Sequence, residues 1–178
     1  MTKLVTGDEF LDLFTRFQDV AFRLEVRDRY NVLEEQERLA LFLADDLDEL
    51  DRRNKVERAP WLSRISAATT AGKRVERVRV FTEPPSDYVR FELHLNAGNA
   101  EAGEDIRYLP RTHPAAADLP SWDYWLFDST LLAVMRFGPD DAIISTELVD
   151  DPDVVRQHCT WRDAVWPHAV PYASYVAS

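Results

Sequence analysis

One cysteine, Cys159, in 178 residues leaves no partner for a disulfide within the chain, a usage that suits a reducing cytosol. Five glycines, none of them clustered, are too few for a phosphate-cradling loop, and neither a Walker loop nor Gly-x-Gly-x-x-Gly occurs. The four histidines, His94, His113, His158 and His168, show no ligand spacing with one another or with Cys159, and there is no His-Glu-x-x-His. Neither metal nor cofactor is therefore expected. No apolar run approaches the ~18–20 residues that cross a bilayer. The acidic opening, with Asp8, Glu9 and Asp12, does not read as a signal peptide, so a cytoplasmic protein without membrane contact is expected. Basic residues are in deficit, 21 against 32 acidic, for a net charge of −11. That balance argues against direct nucleic-acid binding, which needs clustered Lys and Arg.

What is present is an ordinary folded composition, 46% hydrophobic and 30% charged. The length fits one domain, 1–178, with a mainly helical part at 1–72 containing one strand, then a sheet-forming core and C-terminal helix at 73–178. Residues 1–5 and 173–178 are expected to fray. Charge is uneven: 34–51 is acidic, 52–79 basic, and 138–153 acidic without a base.

Along the chain, Thr6 and Glu9 have capping-box spacing, and Phe10, Leu13, Phe14 and Phe17 share one helical face. Val20, Phe22, Leu24 and Val26 alternate with Ala21, Arg23 and Glu25, the period of a half-buried strand. A helix is expected over 33–43 with Leu39, Phe42 and Leu43 as its stripe, and 45–55 looks too charged for core and is taken as a linker. A helix after Pro60 stops at Gly72, and a strand follows at 73–81 with Arg77 and Arg79 on one face. Residues 86–96 fit either period and are assigned to helix, the crossover that a parallel pairing of 77–81 with 106–109 would need. Strands at 124–127 and 131–137 form a hairpin, a strand follows at 143–149, and Asp151-Pro152 starts the last helix, which ends in an extended aromatic tail. The fold class expected is α/β (α+β), one mixed sheet built from 73–149 and flanked by helices.

Residues 104–128 concentrate the chemistry. Asp105, Arg107 and Leu109 share a strand face, so Asp105 and Arg107 can pair. With Arg79, Glu104 and Arg111 they make the candidate ligand site, its arginines suited to a small anionic ligand. No catalytic residue is assigned. His158 and Cys159 point about 100° apart on a helix and make a poor nucleophile pair, and Asp123 and Asp128 lie at opposite ends of one strand.

The segments Phe22-x-Leu-Glu-x-Arg-Asp-x-Tyr30, Arg77-Val-Arg-Val80, Pro85-Ser-x-Tyr88, Gly103-Glu-Asp-Ile-Arg107, Asp123-Tyr-Trp-Leu-Phe-Asp128 and Arg162-Asp-Ala-x-Trp166 resemble a family of actinobacterial proteins encoded beside Xre-type helix-turn-helix regulators. The order of elements after Lys73 is similar, more distantly, to phospholipase D-like domains. That resemblance implies a phospholipase D-like half-domain, whose non-catalytic versions sense effectors in transcription factors. Catalysis in such domains needs His-x-Lys followed by Asp, and His-x-Lys occurs nowhere here. The expected function is a non-enzymatic regulatory or accessory protein that senses a small anionic ligand or docks on a helix-turn-helix regulator. The alternative is a hydrolase or transferase using Glu104, Asp105 and Arg107 at the sheet end.

Overall fold

A computed structural model describes residues 2–177. Eight strands form one mixed sheet in the order β1-β7-β6-β5-β2-β3-β4-β8. They are β1 (Thr2–Val5), β2 (Val20–Glu25), β3 (Arg74–Phe81), β4 (Asp105–Pro110), β5 (Asp123–Phe127), β6 (Leu131–Phe137), β7 (Ile143–Val149) and β8 (Val170–Pro171). The pairs β2/β3 and β3/β4 are parallel, and every other neighbouring pair is antiparallel. The helices are α1 (Gly7–Arg16), α2 (Gln36–Leu43), α3 (Leu47–Glu57), α4 (Ala59–Thr70), α5 (Asp87–Glu101), α6 (Pro152–Val165) and α7 (Tyr172–Val176).

The helices make two outer layers around the sheet. On one face, Val155 and Val165 of α6 pack with Phe22, Leu24, Val80 and Leu126. On the other, α1 and α4 bring Phe14, Ile65 and Ala68 onto Val75, Trp125 and Phe127, while Leu50, Tyr88, Phe91 and Leu95 join α3 and α5. Helix starts follow local chemistry. Thr6 and Glu9 close the capping box of α1, Ser86 caps α5, and Asp151 caps α6 ahead of Pro152. The crossover α5 does join the parallel pair β3 and β4.

Several expectations from the sequence need correction. The sheet is not confined to 73–149: β2 lies at its centre, and β1, expected to fray, pairs with β7 from Thr2↔Val149 to Val5↔Thr146. Met1 and Ser178 lie outside the described residues. Strand β2 is buried on both faces rather than half-buried. The charged stretch taken as a linker is helix α3, held to the core by the fully buried Leu50 and the partly buried Leu47. Leu43 is 58% exposed and does not belong to the α2 stripe. The aromatic tail is not extended throughout. Val170–Pro171 adds to the sheet edge beside β4, and α7 then stacks Tyr175 on Tyr108 at 4.7 Å between ring centroids.

Candidate functional site

The parallel register of β2 and β3 sets Arg23 beside Arg77 and Glu25 beside Arg79. All four project to the face covered by α4 and α5, where α5 adds Glu92 and the turn into β4 adds Glu104. Arg77 Nε donates to Glu104 Oε1 at 2.7 Å, and its Nη1 to Glu25 Oε1 at 3.4 Å. Arg23 Nη2 lies 2.9 Å from Glu25 Oε1, and Arg79 Nη2 lies 2.6 Å from Glu25 Oε2 and 3.2 Å from Glu92 Oε2. Asn99 donates to Glu104 and accepts from Arg58 Nη2 at 2.8 Å. Acid and base thus alternate along a buried lattice Glu104–Arg77–Glu25–Arg79–Glu92. Charges this deep survive only when paired, because desolvation of each lone ion costs several kcal/mol, roughly.

Gly103 delivers Glu104 to that lattice. Its φ of +97° is a left-handed conformation, and a Cβ there would meet Thr69 Oγ1 at 2.7 Å. Thr69 holds the same turn by donating to the Ala102 carbonyl.

Above Glu25, Arg79 and Glu92 opens a cavity of about 540 Å³, within the usual ~300–1,000 Å³ of small-molecule sites. Trp61, Trp125, Tyr30, Tyr88 and Phe137 wall it, and the turn Asp141–Ile143 forms part of its rim. Arg23 stacks over Trp125 and Arg79 over Tyr30, with 5.5 and 5.8 Å from guanidinium carbon to ring centroid. Tyr30 donates to Asp123, which also accepts from Val26 N at 2.9 Å. Asp141 pairs with Arg27 and, at 3.3 Å, with Arg29, which ties the rim to the end of β2.

The electrostatics divide the carboxyls. Burial raises Glu25, but the combined charge of Arg23, Arg79 and Arg77 outweighs it and holds Glu25 at about 2. Burial likewise raises Glu35, and neighbouring Glu92 adds to the rise against a hydrogen bond from Tyr88. Burial raises Asp123 too. Several buried polar atoms of the lining residues have no hydrogen-bond partner among the described residues. They are Arg79 Nε and Nη1, Arg23 Nε, Trp125 Nε1, Glu92 Oε1 and Glu25 Oε2, the last ion-paired with Arg79 Nη2.

The five site residues expected from the sequence fall in three places. Arg79 lines the cavity, and Glu104 lies in the lattice beneath it, fully buried. Asp105 and Arg107 do pair, at 2.9 Å, but on the opposite face of the sheet, where Arg107 sits 3.8 Å over the Trp166 ring and donates to its carbonyl. Arg111 is at the far end of β3, donating to the carbonyl of Val26 and pairing with Asp28. Glu104, Asp105 and Arg107 therefore do not converge on one substrate. Asp128 serves the β5–β6 turn, accepting the amides of Gln18, Asp19 and Val20. His158 is buried, and burial pushes its imidazole below its ordinary pKa; its Nδ1–H donates to the Val154 carbonyl, and its Nε2 accepts from Trp122 Nε1. His94 pairs with Asp51 at the surface. Among the described residues no group of acidic, His or Cys side chains could hold a metal ion, and no helix is long and apolar enough to cross a membrane.

Sequence reasoning missed Arg23, Glu25, Tyr30, Glu92 and Trp125. The available signal was complementary charge at strand spacing, Arg23-x-Glu25 against Arg77-x-Arg79, with Glu92 in the middle of the following helix.

Among curated proteins no match is found. Among solved structures the chain is similar to NucT from Helicobacter pylori, with a TM-score of 0.51 and 6% identity, covering 96% of this chain and 98% of that one. It is also similar to phosphatidylserine synthase of Haemophilus influenzae Rd KW20, with a TM-score of 0.46 and 14% identity, covering 99% of this chain but 40% of that one. The fold is phospholipase D-like, a single α/β domain with a mixed sheet between helices. The profile described as Domain of unknown function (DUF6879) matches residues 8–177, and the chain belongs to that family.

Proposed function

We propose that this domain is a non-catalytic binding module, which takes a small ring compound into the cavity above Arg79. The carrying observation is an aromatic-walled space whose floor is a charged lattice with open N–H donors. Buried arginine donors are normally filled, so Arg79 Nε and Nη1, on a side chain 1% exposed, are suited to a ligand's acceptor atoms. Arg79 is held in place by Glu25 and Glu92, so it meets a ligand already oriented. Those same carboxylates balance the arginines, which favours a carbonyl or a single carboxylate over a phosphate dianion. Among the described residues the cavity lining holds no His, Lys, Ser, Thr or Cys. That supports binding over the phosphodiester chemistry that His-x-Lys performs in phospholipase D-like enzymes. On this reading the domain senses a metabolite and passes the signal to a protein partner, a helix-turn-helix regulator being the one that the resemblance implies.

Titration with small aromatic carboxylates and carbonyl heterocycles, followed by tryptophan fluorescence, tests the proposal, because Trp61 and Trp125 both line the cavity. Saturable quenching is expected, weakened at least tenfold in Arg79→Lys, which keeps the charge and loses the spare guanidinium N–H groups. Turnover of a chromogenic phosphodiester by the native chain, absent in Glu92→Gln, would show a catalytic site instead.

A further inference from the structure

Resting on that reading, we infer that the cavity selects lactam- or imide-bearing heteroaromatics, rings whose edge places an N–H beside C=O acceptors. The argument comes from which atoms of one ion pair are left over. Arg79 and Glu92 meet through Nη2 and Oε2 alone, at 3.2 Å. The pair is monodentate, so Arg79 keeps Nε and Nη1 as donors and Glu92 keeps Oε1 as an acceptor. Both residues line the cavity and both are more than nine-tenths buried.

A bare carboxylate ligand would satisfy the donors and leave Glu92 Oε1 unpaired, facing a second anion. An amine would satisfy Glu92 and leave the guanidinium donors unfilled. Either mismatch strands a buried polar group, at a cost of roughly 1–3 kcal/mol. A lactam edge carries one N–H for Glu92 and a carbonyl for Arg79, so one planar group answers both. Trp125 Nε1 and Arg23 Nε are two further unfilled donors on lining residues, and Glu25 Oε2, ion-paired with Arg79 Nη2, is a second acceptor without a hydrogen bond, so four donor atoms stand against two acceptor atoms. That ratio fits an imide, which carries two carbonyls for one N–H. Trp61 and Phe137 on the walls suit a flat ring by stacking.

The test is calorimetric titration of the native chain with uracil, xanthine and lumazine, each paired with its fully N-methylated analogue (caffeine for xanthine). Methylation keeps the ring and the carbonyls and removes the N–H that Glu92 would accept. At least one parent heterocycle is expected to bind tenfold or more tighter than its methylated partner, with that ratio falling towards one in Glu92→Gln. Should Glu92→Gln fail to fold, the parent-to-methylated ratio on the native chain decides. Equal affinity within every pair overturns the lactam assignment, as does binding of aromatic carboxylates without any lactam; both leave the cavity as a binding site. Failure of every ring compound to bind, with tryptophan fluorescence unmoved, overturns the lactam assignment and the binding proposal together.

Discussion

At the scale of residues, the domain's unusual feature is that its sheet centre carries full charges. Arg77 pairs with the carboxylates of Glu104 and Glu25 and is 3% exposed. Arg77→Met should therefore cost about 3–5 kcal/mol, measured by urea unfolding, because it removes the cation paired with the fully buried Glu104 carboxylate. Arg107→Met, whose partner Asp105 is half exposed, should cost about 1 kcal/mol or less. Titration adds a pair of opposite signs. Glu25 is held at about 2, below its ordinary 4.5, so its contribution is complete above that ordinary value and is lost as pH falls towards 2. The loss is on the order of 3 kcal/mol. Glu35 is raised, so its folded form keeps a proton that the unfolded chain has released, and stability falls as pH rises through the window above 4.5. Glu35→Gln should remove that slope. Chemical denaturation of native and variant at pH 5 and pH 8 should find the variant gaining on the native protein at the higher pH; a constant gap would show that Glu35 is not the group responsible.

At the scale of elements, most of the chain was legible. Caps at Thr6, Ser86 and Asp151, the hairpin at Asp128-Ser129 and the crossover helix α5 all follow from local chemistry that the sequence displays. What local chemistry could not show is strand order. That β2 inserts between β5 and β3 depends on pairings more than fifty residues apart, and this insertion brings Glu25 to the arginines of β3. Read alone, Arg23 and Glu25 alternate with apolar residues as a solvated strand face does. Glu25 is buried and Arg23 partly so because α4 and α5 pack on that face, a fact of tertiary packing. The site was legible only in part for the same reason. Arg79 was visible as chemistry, but Asp105 and Arg107 were grouped with Glu104 by sequence proximity, although strand alternation sends Glu104 and Arg107 to different sides of the sheet. Two element-level variants probe the packing. Phe14→Ala removes a ring that makes edge contacts with Trp61, Trp125 and Phe127, and should cost about 3–5 kcal/mol. Gly103→Ala should destabilise through strain at φ +97° and the clash with Thr69 Oγ1, with Thr69→Ala, which removes that hydroxyl, relieving part of the clash and none of the φ strain in the double variant.

At the scale of the whole molecule, a sheet of phospholipase D-like fold supports a cavity whose lining, among the described residues, holds no His, Lys, Ser, Thr or Cys. The net charge of −11 works against phosphate-rich partners, so the isolated chain should not retain duplex DNA at physiological salt. Tight, steeply salt-dependent gel-shift retention would contradict that expectation. The central claim is that the ligand site lies over Arg79 and not at the Asp105–Arg107 edge of β4. The most direct measurement compares affinities of the tightest ring compound, by tryptophan quenching, in native chain, Arg79→Lys and Arg107→Lys. The account predicts at least a tenfold loss in Arg79→Lys and native affinity in Arg107→Lys, with both variants retaining the native circular dichroism spectrum. The reverse order, affinity lost with Arg107 and kept with Arg79, would contradict it.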